Sequence, residues 1–190
     1  MRVNLYRSLL LIFLSFSLNA TEKPNVLLIM VDDMNTMLST YGDTQVKTPN
    51  LEKLKANGIQ FNRAYVQYPQ CTASRASMLT GLYPGQNGVT QLRQHFRNYV
   101  PWVKTLPQVF KENGYYTARV GKIFHYDVPR EMGTDGMDDP ISWIDKYNPV
   151  GIDRTDHKKT KWLGPRKPKD KWGGGAISWI RAGGSSQEHT

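Results

Sequence analysis

The stretch Asn25-Val-Leu-Leu-Ile-Met-Val-Asp-Asp33 decides the predicted fold, because an uninterrupted apolar run ends abruptly in two carboxylates. The run from Asn25 to Val31 has the length of a strand and no polar alternation, which predicts a strand covered on both faces in a parallel sheet. Ligands of such sheets bind beyond the carboxyl ends of the strands. Asp32 and Asp33 are therefore the first candidate site residues.

Strands and helices alternate along the chain that follows. Helices are predicted after Thr48 and Thr105, and further strands over residues 59–66 and 115–120. This order predicts right-handed crossovers and an α/β fold with a doubly wound, mostly parallel sheet. Beyond residue 130, Gly, Pro, Asp and Trp dominate, so residues 131–190 are predicted to be a loop-rich continuation.

A second stretch, Cys71-Thr-Ala-Ser-Arg75, predicts a thiol at the mouth of a short helix. Ser74 is the predicted cap, Arg75 to Thr80 the helix, and Gly81 its end. Unpaired N–H groups at such a place attract anions, and the fixed charge of Arg75 adds to that attraction. Cys71 is the only cysteine, which excludes an intrachain disulfide; a buried, inert thiol is the alternative interpretation.

Two further groups carry chemistry. Adjacent carboxylates at Asp32 and Asp33 repel each other unless a cation lies between them, and oxygen ligands favour Ca²⁺, or alternatively Mg²⁺, over zinc. A turn with a helix cap is the alternative for this pair. Lys122 and His125 follow the third predicted strand and could present an ammonium and an imidazole to one anion, although each alone fits a surface residue. The histidines predicted to be ordinary surface residues are His95 and His157.

Composition and charge bound the class of protein. The chain has 190 residues, 39% hydrophobic and 22% charged, as in ordinary globular proteins. Residues 1–20 combine a basic start, an apolar stretch and a small-residue end, which predicts a secretory signal peptide, with an uncleaved anchor as the alternative. The mature protein is then expected to be periplasmic or secreted, or lysosomal in a eukaryote, without stable membrane insertion.

The basic excess is uneven. The formal net charge is +9, and Lys and Arg concentrate in residues 154–171 with Trp162 among them. Such a segment suits a polyanion, and export favours a sulfated polysaccharide over nucleic acid. A solvated loop explains the same residues equally well.

Together these motifs resemble the N-terminal region of the type I sulfatases. The resemblance spans residues 24–125 and rests on NVLLIMVDD, TPNLEKL, GIQFNRAY, CTASRASMLTG and ENGYYTARVGK. Within that family, Gly121-Lys-Ile-Phe-His125 resembles the iduronate-2-sulfatase branch more than the arylsulfatases. Ala73 stands where the family usually has proline, which bears on recognition by the modifying enzyme.

The resemblance implies an alkaline-phosphatase-like fold and hydrolysis of a sulfate ester on a sugar, as in iduronate-2-sulfatases. The alternative is a sulfatase of another specificity, an arylsulfatase or another polysaccharide sulfatase. Cys71 would be oxidised by a dedicated maturase to formylglycine, whose hydrated aldehyde attacks sulfur with one hydroxyl and expels sulfate through the other. Asp32, Asp33 and the converted Cys71 would ligate Ca²⁺. Arg75 would hold the hydrated aldehyde, and Lys122 would neutralise the sulfate ester. His125 would handle the proton of the diol.

The resemblance also implies that residues 21–130 are the N-terminal part of a catalytic domain, with further metal ligands expected beyond Thr190. The 190 residues alone are then predicted to be inactive and poorly soluble. Rival classes fit less well. A thiol phosphatase needs Arg at the position of Ser77, and a Cys–His hydrolase leaves the two carboxylates unexplained. A phosphatase of the same superfold would carry Ser or Thr as nucleophile, and a noncatalytic glycan-binding module would use residues 154–172.

Overall fold

The computed structural model describes residues 23–128, 130–155, 161–162 and 180–181. The chain divides into two compact units, Met1–Val31 and Asp32–Thr190. The predicted signal peptide and most of the basic segment, His157 included, lie outside the described residues. None of the helices in the described ranges has the length and apolar character that crossing a membrane requires.

Two predicted strands are absent from the described structure. Residues 25–31 and 59–66 have irregular backbone, and their apolar side chains are exposed, with Leu27 84% and Ile59 82% accessible. A strand exists only where a neighbouring segment completes its hydrogen-bond ladder. The described residues give neither segment such a neighbour, so these two predictions are wrong for this structure although the apolar pattern is present.

The helices follow the sequence signals closely. In chain order they are Pro49–Ala56 (α1), Cys71–Thr80 (α2), Pro84–Asn87 (α3), Leu106–Glu112 (α4) and Ile152–Thr155 (α5), with short 3₁₀ turns at Ser39–Tyr41, Phe96–Asn98 and Pro140–Ser142. The helices predicted after Thr48 and Thr105 are confirmed. Thr105 caps α4 by accepting a hydrogen bond from the Gln108 amide at 3.2 Å, whereas the Thr48 hydroxyl bonds to that of Ser39 at 2.6 Å.

The start of α2 differs from the prediction. Gln70 is the extended N-cap residue and Cys71 the first helical residue, so Ser74 lies inside the helix and donates its amide to the Gln70 carbonyl at 2.9 Å. The residues around Ser74 form helices well enough to extend the first turn back to the thiol. The predicted end is confirmed, because Gly81 adopts φ 71° and its amide bonds to Ser77 at 2.8 Å.

The core packs α2 against the segment that carries the predicted lysine and histidine. One face of α2 is buried, and the buried apolar cluster consists of Ala73, Ala76, Leu79, Val89, Phe96, Val100 and Phe124. Phe124 stacks on Phe96 with ring centres 5.8 Å apart and meets Trp143 edge-on at 6.3 Å. Residues 122–126 are therefore anchored beside α2 by Phe124.

The strands are short. Ala118–Val120 (β1) pairs in parallel with Asp145–Tyr147 (β2), and Lys161–Trp162 (β3) pairs antiparallel with Ile180–Arg181 (β4). The strand predicted over residues 115–120 is therefore confirmed only over its second half. β2 lies in the region predicted to be loop-rich. It has only three residues, and the many Gly and Asp residues of that region favoured a loop prediction. β1 ends at Val120, and the chain turns at Gly121, which has φ 70°, into Lys122.

Candidate active site

Arg75 is the centre of the site. It lies one turn after Cys71 in α2, its side chain is 7% exposed, and its Nη2 donates to the Asp32 carboxylate. Its Nη1 donates to the carbonyl oxygens of Lys122 at 2.8 Å and Ile123 at 2.7 Å. A guanidinium presents donors in a fixed planar fork, so one side chain can hold a carboxylate and two carbonyls at once. Arg75 therefore ties α2 to the turn at Asp32 and to the segment after β1.

Asp32 joins two cations. Its second carboxylate oxygen accepts a hydrogen bond from Lys122 Nζ at 2.6 Å, and its side chain is 36% exposed. Burial raises the pKa of Asp32, but the hydrogen bonds from Lys122 and Arg75 outweigh this effect and hold the pKa below its usual value. Three residues from separate parts of the sequence thus meet in one ionic cluster, with Asp32 charged at neutral pH.

Asp33 continues the turn beside this cluster. It has φ 55°, the left-handed region that short polar residues tolerate better than other non-glycine residues. The residue is exposed. The two acidic residues therefore occupy a turn that does not follow a strand, in contrast to the sequence-based expectation.

Cys71 occupies the first position of α2 and carries a free, partly buried thiol. Backbone amides of a first helical turn have no acceptor within the helix, which makes this end suitable for an anionic group. Ala73, also in the first turn, is completely buried in the core cluster. Proline is tolerated in the first turn of a helix. Alanine or proline at position 73 would therefore give the same helical hydrogen-bond ladder.

His125 is buried, with 6% of the residue exposed. Its Nε2 lies 3.3 Å from Asp127 Oδ1, and its carbonyl accepts the Met137 amide at 2.9 Å. Its Nδ1 is buried and has no hydrogen-bond partner among the described residues. Burial lowers the pKa of His125 and the charge of Lys122 lowers it further, while the Asp127 carboxylate opposes both. The imidazole is therefore neutral near pH 7.

A small cavity joins the imidazole to α2. Its volume is about 10 Å³, close to the minimum for one water molecule. The residues that line it from α2 and from the segment after β1 include Thr72, Arg75, Phe124 and His125. His125 and Arg75 therefore line one small, mostly apolar cavity, although they are far apart in sequence.

The donors present fit a hard cation in part. Carboxylate oxygens are what Ca²⁺ prefers, and Asp32 and Asp33 supply them. Both oxygens of Asp32 bind cationic side chains, and the described ranges hold no group of three or more His, Cys, Asp or Glu arranged for a metal ion. Asp32 would thus exchange its bonds to Arg75 and Lys122 for the ion, and the pair makes up only part of a calcium ligand set.

The sequence missed the acidic and basic residues around His125. Asp127 also pairs with Arg93, and Arg93 reaches Glu131 at 2.9 Å. The one available signal was the spacing of Asp127 and Glu131 by four residues, which is too common to stand out. The surface prediction for His95 is wrong.

The His95 ring is half-buried and fixed on both sides. Its Nδ1 accepts the Arg97 amide at 3.1 Å, and its Nε2 lies 3.1 Å from the Asp138 carbonyl. Because that carbonyl lies 43 residues away in sequence, local patterns could not reveal the contact.

The structure thus brings Asp32, Arg75 and Lys122 into direct contact and places His125 and Arg75 on one cavity. Cys71 lies one helical turn from Arg75, and Asp33 lies next to Asp32 in the turn. The catalytic and metal-binding roles of these residues stay predictions.

Comparison with known proteins agrees with the sequence motifs. The family model described as Sulfatase matches residues 24–165. Iduronate 2-sulfatase is 39% identical over 132 residues in both Mus musculus and Homo sapiens, which is 69% of this chain and 23% and 24% of those proteins. N-acetylgalactosamine-6-sulfatase of Canis lupus familiaris is 39% identical over 114 residues, or 54% of this chain and 22% of that protein. The chain thus spans about a quarter of the length of the curated relatives it matches. Because the family model covers most of it, the chain belongs to the sulfatase family, with the predicted alkaline-phosphatase-like α/β fold.

Proposed function

We propose that the protein containing this chain hydrolyses sulfate esters of sugars, with a formylglycine made from Cys71 as nucleophile. The observation that carries the proposal is the position of Arg75, which lies one turn from Cys71 and holds both Asp32 and the Lys122 backbone. That arrangement places two cations and one carboxylate, a net positive charge, in the ionic cluster that Arg75 joins to α2. A sulfate ester carries negative charge that such a site stabilises during displacement at sulfur.

Each residue has a distinct task in this proposal. The hydrated aldehyde supplies one hydroxyl that attacks sulfur and a second whose deprotonation expels sulfate. Arg75 orients that diol through its planar donors, and Lys122 neutralises an oxygen of the ester as a point charge. His125, neutral near pH 7, accepts the proton of the diol. The alcohol leaves with the bridging oxygen and takes up a proton, and after sulfate is expelled one water molecule adds to the aldehyde carbon to restore the diol. Water is therefore not required at sulfur.

Asp32 and Asp33 would hold a calcium ion in the complete protein, together with ligands from elsewhere in it. Bound there, Ca²⁺ would polarise the sulfate oxygens and the nucleophile. This assignment is supported by the donor chemistry of the pair and by the partial exposure of Asp32, which leaves the carboxylate open to exchange. Release of Asp32 by Arg75 and Lys122 would then free both cations to bind the anionic substrate.

The substrate class and the cellular setting extend the proposal. The Lys122 to His125 segment supports a uronic acid or related sugar 2-sulfate, since its spacing resembles the iduronate-2-sulfatase branch. A formylglycine-generating maturase is the required partner. Residues 1–20 support export, which suits an enzyme acting on sulfated polysaccharide.

The proposal is tested on the complete protein, produced with and without a formylglycine-generating maturase. With the maturase, the intact mass is expected to fall by about 18 Da, the difference between a cysteine and a formylglycine residue. The converted protein is then incubated with a disaccharide sulfated at position 2 of its uronic acid, and released sulfate is measured. Conversion of Cys71 and sulfate release are expected to appear together.

Cys71→Ala is expected to abolish both the mass change and sulfate release. Met78→Leu, on the exposed side of the same helix, is the matched control and should retain both. Conversion with sulfate release only from another sulfated sugar would keep the reaction and replace the substrate. Full sulfate release by Cys71→Ala would overturn the proposed function.

A further inference from the structure

We propose that Asp127 is a positioning residue for His125: it holds the proton on Nε2 and so leaves Nδ1 as the site that accepts a proton. The role of that proton acceptor rests on the proposed function, whereas the tautomer itself does not. The carboxylate of Asp127 lies 3.3 Å from Nε2, and the opposite ring nitrogen is buried without a described partner.

The chemistry of the pair fixes the direction of the hydrogen bond. An ionised carboxylate only accepts hydrogen bonds, so the ring nitrogen beside it must carry the proton. In a neutral imidazole the other nitrogen then holds a lone pair and is a proton acceptor. For His125 that nitrogen is Nδ1. The carboxylate therefore selects one of two tautomers that the isolated ring would adopt.

Asp127 is itself held in place. Its amide donates to Glu131 Oε2 at 2.8 Å, and Arg93 bonds to both carboxylates, reaching Glu131 Oε1 at 2.9 Å. Arg130 lies 3.9 Å from Asp127 on the same side. The guanidinium of Arg93 places a positive charge beside the partly buried Asp127 carboxylate. Asp127 thus has a fixed orientation toward the imidazole.

His125, whose Nδ1 has no partner in the part of the chain that the structure describes, lines a small, mostly apolar cavity. His125 shares this cavity with Arg75 and Thr72, and Thr72 directly follows Cys71 in α2. A buried acceptor without a partner is rare in proteins and calls for an explanation. A proton delivered from the first turn of α2 provides one. Burial of the ring, and after it the charge of Lys122, lowers the pKa of His125, so a permanent second proton on the ring is disfavoured.

The test is a measurement of histidine tautomers by long-range ¹H–¹⁵N correlation on ¹⁵N-histidine-labelled complete protein. His95 is an internal reference, because its Nδ1 accepts an amide and its Nε2 must therefore be protonated. His125→Gln identifies the His125 signals by their loss. At a pH where the ring is neutral, His125 is expected to show a protonated Nε2 and an unprotonated Nδ1, as His95 does.

Asp127→Ala is expected to convert this single tautomer into a mixture of both and to lower the pKa of His125 further, with the His95 signals unchanged. Glu112→Ala, which removes an exposed carboxylate paired with Lys104, is the control and should leave His125 as in the wild type. A wild-type His125 ring protonated on Nδ1 would overturn the proposal. This outcome is measured on the wild-type protein, so it does not depend on whether Asp127→Ala folds. An unchanged tautomer in folded Asp127→Ala overturns it as well. A confirmed tautomer in a protein without sulfatase activity would refute the proposed function alone.

Discussion

Two buried arginines in this chain have different roles. Arg75 binds Asp32, which is 36% exposed, and two carbonyls of the segment after β1. Arg119, in the centre of β1, binds Asp138 at 2.7 Å, and the two side chains are 2% and 3% exposed. The Asp138 carboxylate also accepts the Trp143 indole N–H at 2.9 Å. The Arg119 pair is closed to solvent, and the Arg75 pair is open on its acidic side.

The difference separates a fold-stabilising ion pair from a ligand-binding one. A closed pair cannot exchange partners without burying an uncompensated charge, so it fixes one conformation. A solvent-exposed carboxylate can exchange its cationic partners for a metal ion. The cationic side chains released in this way can then bind an anion. Arg119 also pairs with Asp135 at 3.1 Å, and the Asp135 side chain is 49% exposed. The core arginine is therefore distinguished by its additional partner Asp138, which is closed to solvent, whereas the Asp32 carboxylate that Arg75 binds is partly exposed.

The largest expected effect is on the closed pair. Arg119→Met should lower the free energy of unfolding by about 3–5 kcal/mol, because the buried Asp138 loses its cationic partner. Chemical denaturation of the complete protein measures this loss. Lys104→Met, which breaks an exposed pair with Glu112, is the control and should change stability little. Equal losses in the two variants would remove the distinction between closed and open pairs.

Arg75→Met is expected to come second. It leaves the Lys122 and Ile123 carbonyls without their donor and should cost about 1–3 kcal/mol in unfolding free energy. Sulfate release should be lost completely, unlike in a folded Arg119 variant. Arg75→Lys keeps the charge but not the planar fork, so it should recover stability in part and activity poorly. Full activity in Arg75→Lys would show that charge alone suffices at this position.

Asp32→Asn is expected to have the smallest effect on stability and a distinct dependence on pH. Since the pKa of Asp32 is lowered in the folded state, the carboxylate stabilises the fold above its unfolded value of 3.8, and this contribution is lost as the pH falls through the folded value. The variant should lack that part of the acid-induced loss. Unfolding free energies measured from neutral to acidic pH test this expectation. An unchanged acid dependence would mean that the ionic cluster does not stabilise the native state.

The sequence was sufficient for features with local causes. The caps, prolines and glycines around α1 and α4 predicted both helices, and Gly81 predicted the end of α2. Features that depend on pairing were not accessible. The run from Asn25 to Val31 has strand character but no described neighbour, and β2 is too short and too polar to be recognised alone.

The candidate site shows the same division. Motif order predicted that Asp32, Arg75 and Lys122 belong to one site, and the structure brings these three into contact. The Asp127 carboxylate beside His125 depends on Arg93, which lies 34 residues earlier. No local pattern reports such a contact. The sequence therefore revealed the charged centre and not the groups that orient its histidine.

The backbone conformation at Asp33 restricts which amino acids this position can accept. At φ 55° a β-branched or bulky side chain would add conformational cost, so Gly, Asn and Asp are the residues that the turn accepts readily. Of these, aspartate alone retains a negative charge beside Asp32. Substitution at this position is therefore restricted twice, once by steric hindrance and once by charge. A library of variants at residue 33 would separate the two selections, because glycine satisfies the first and fails the second.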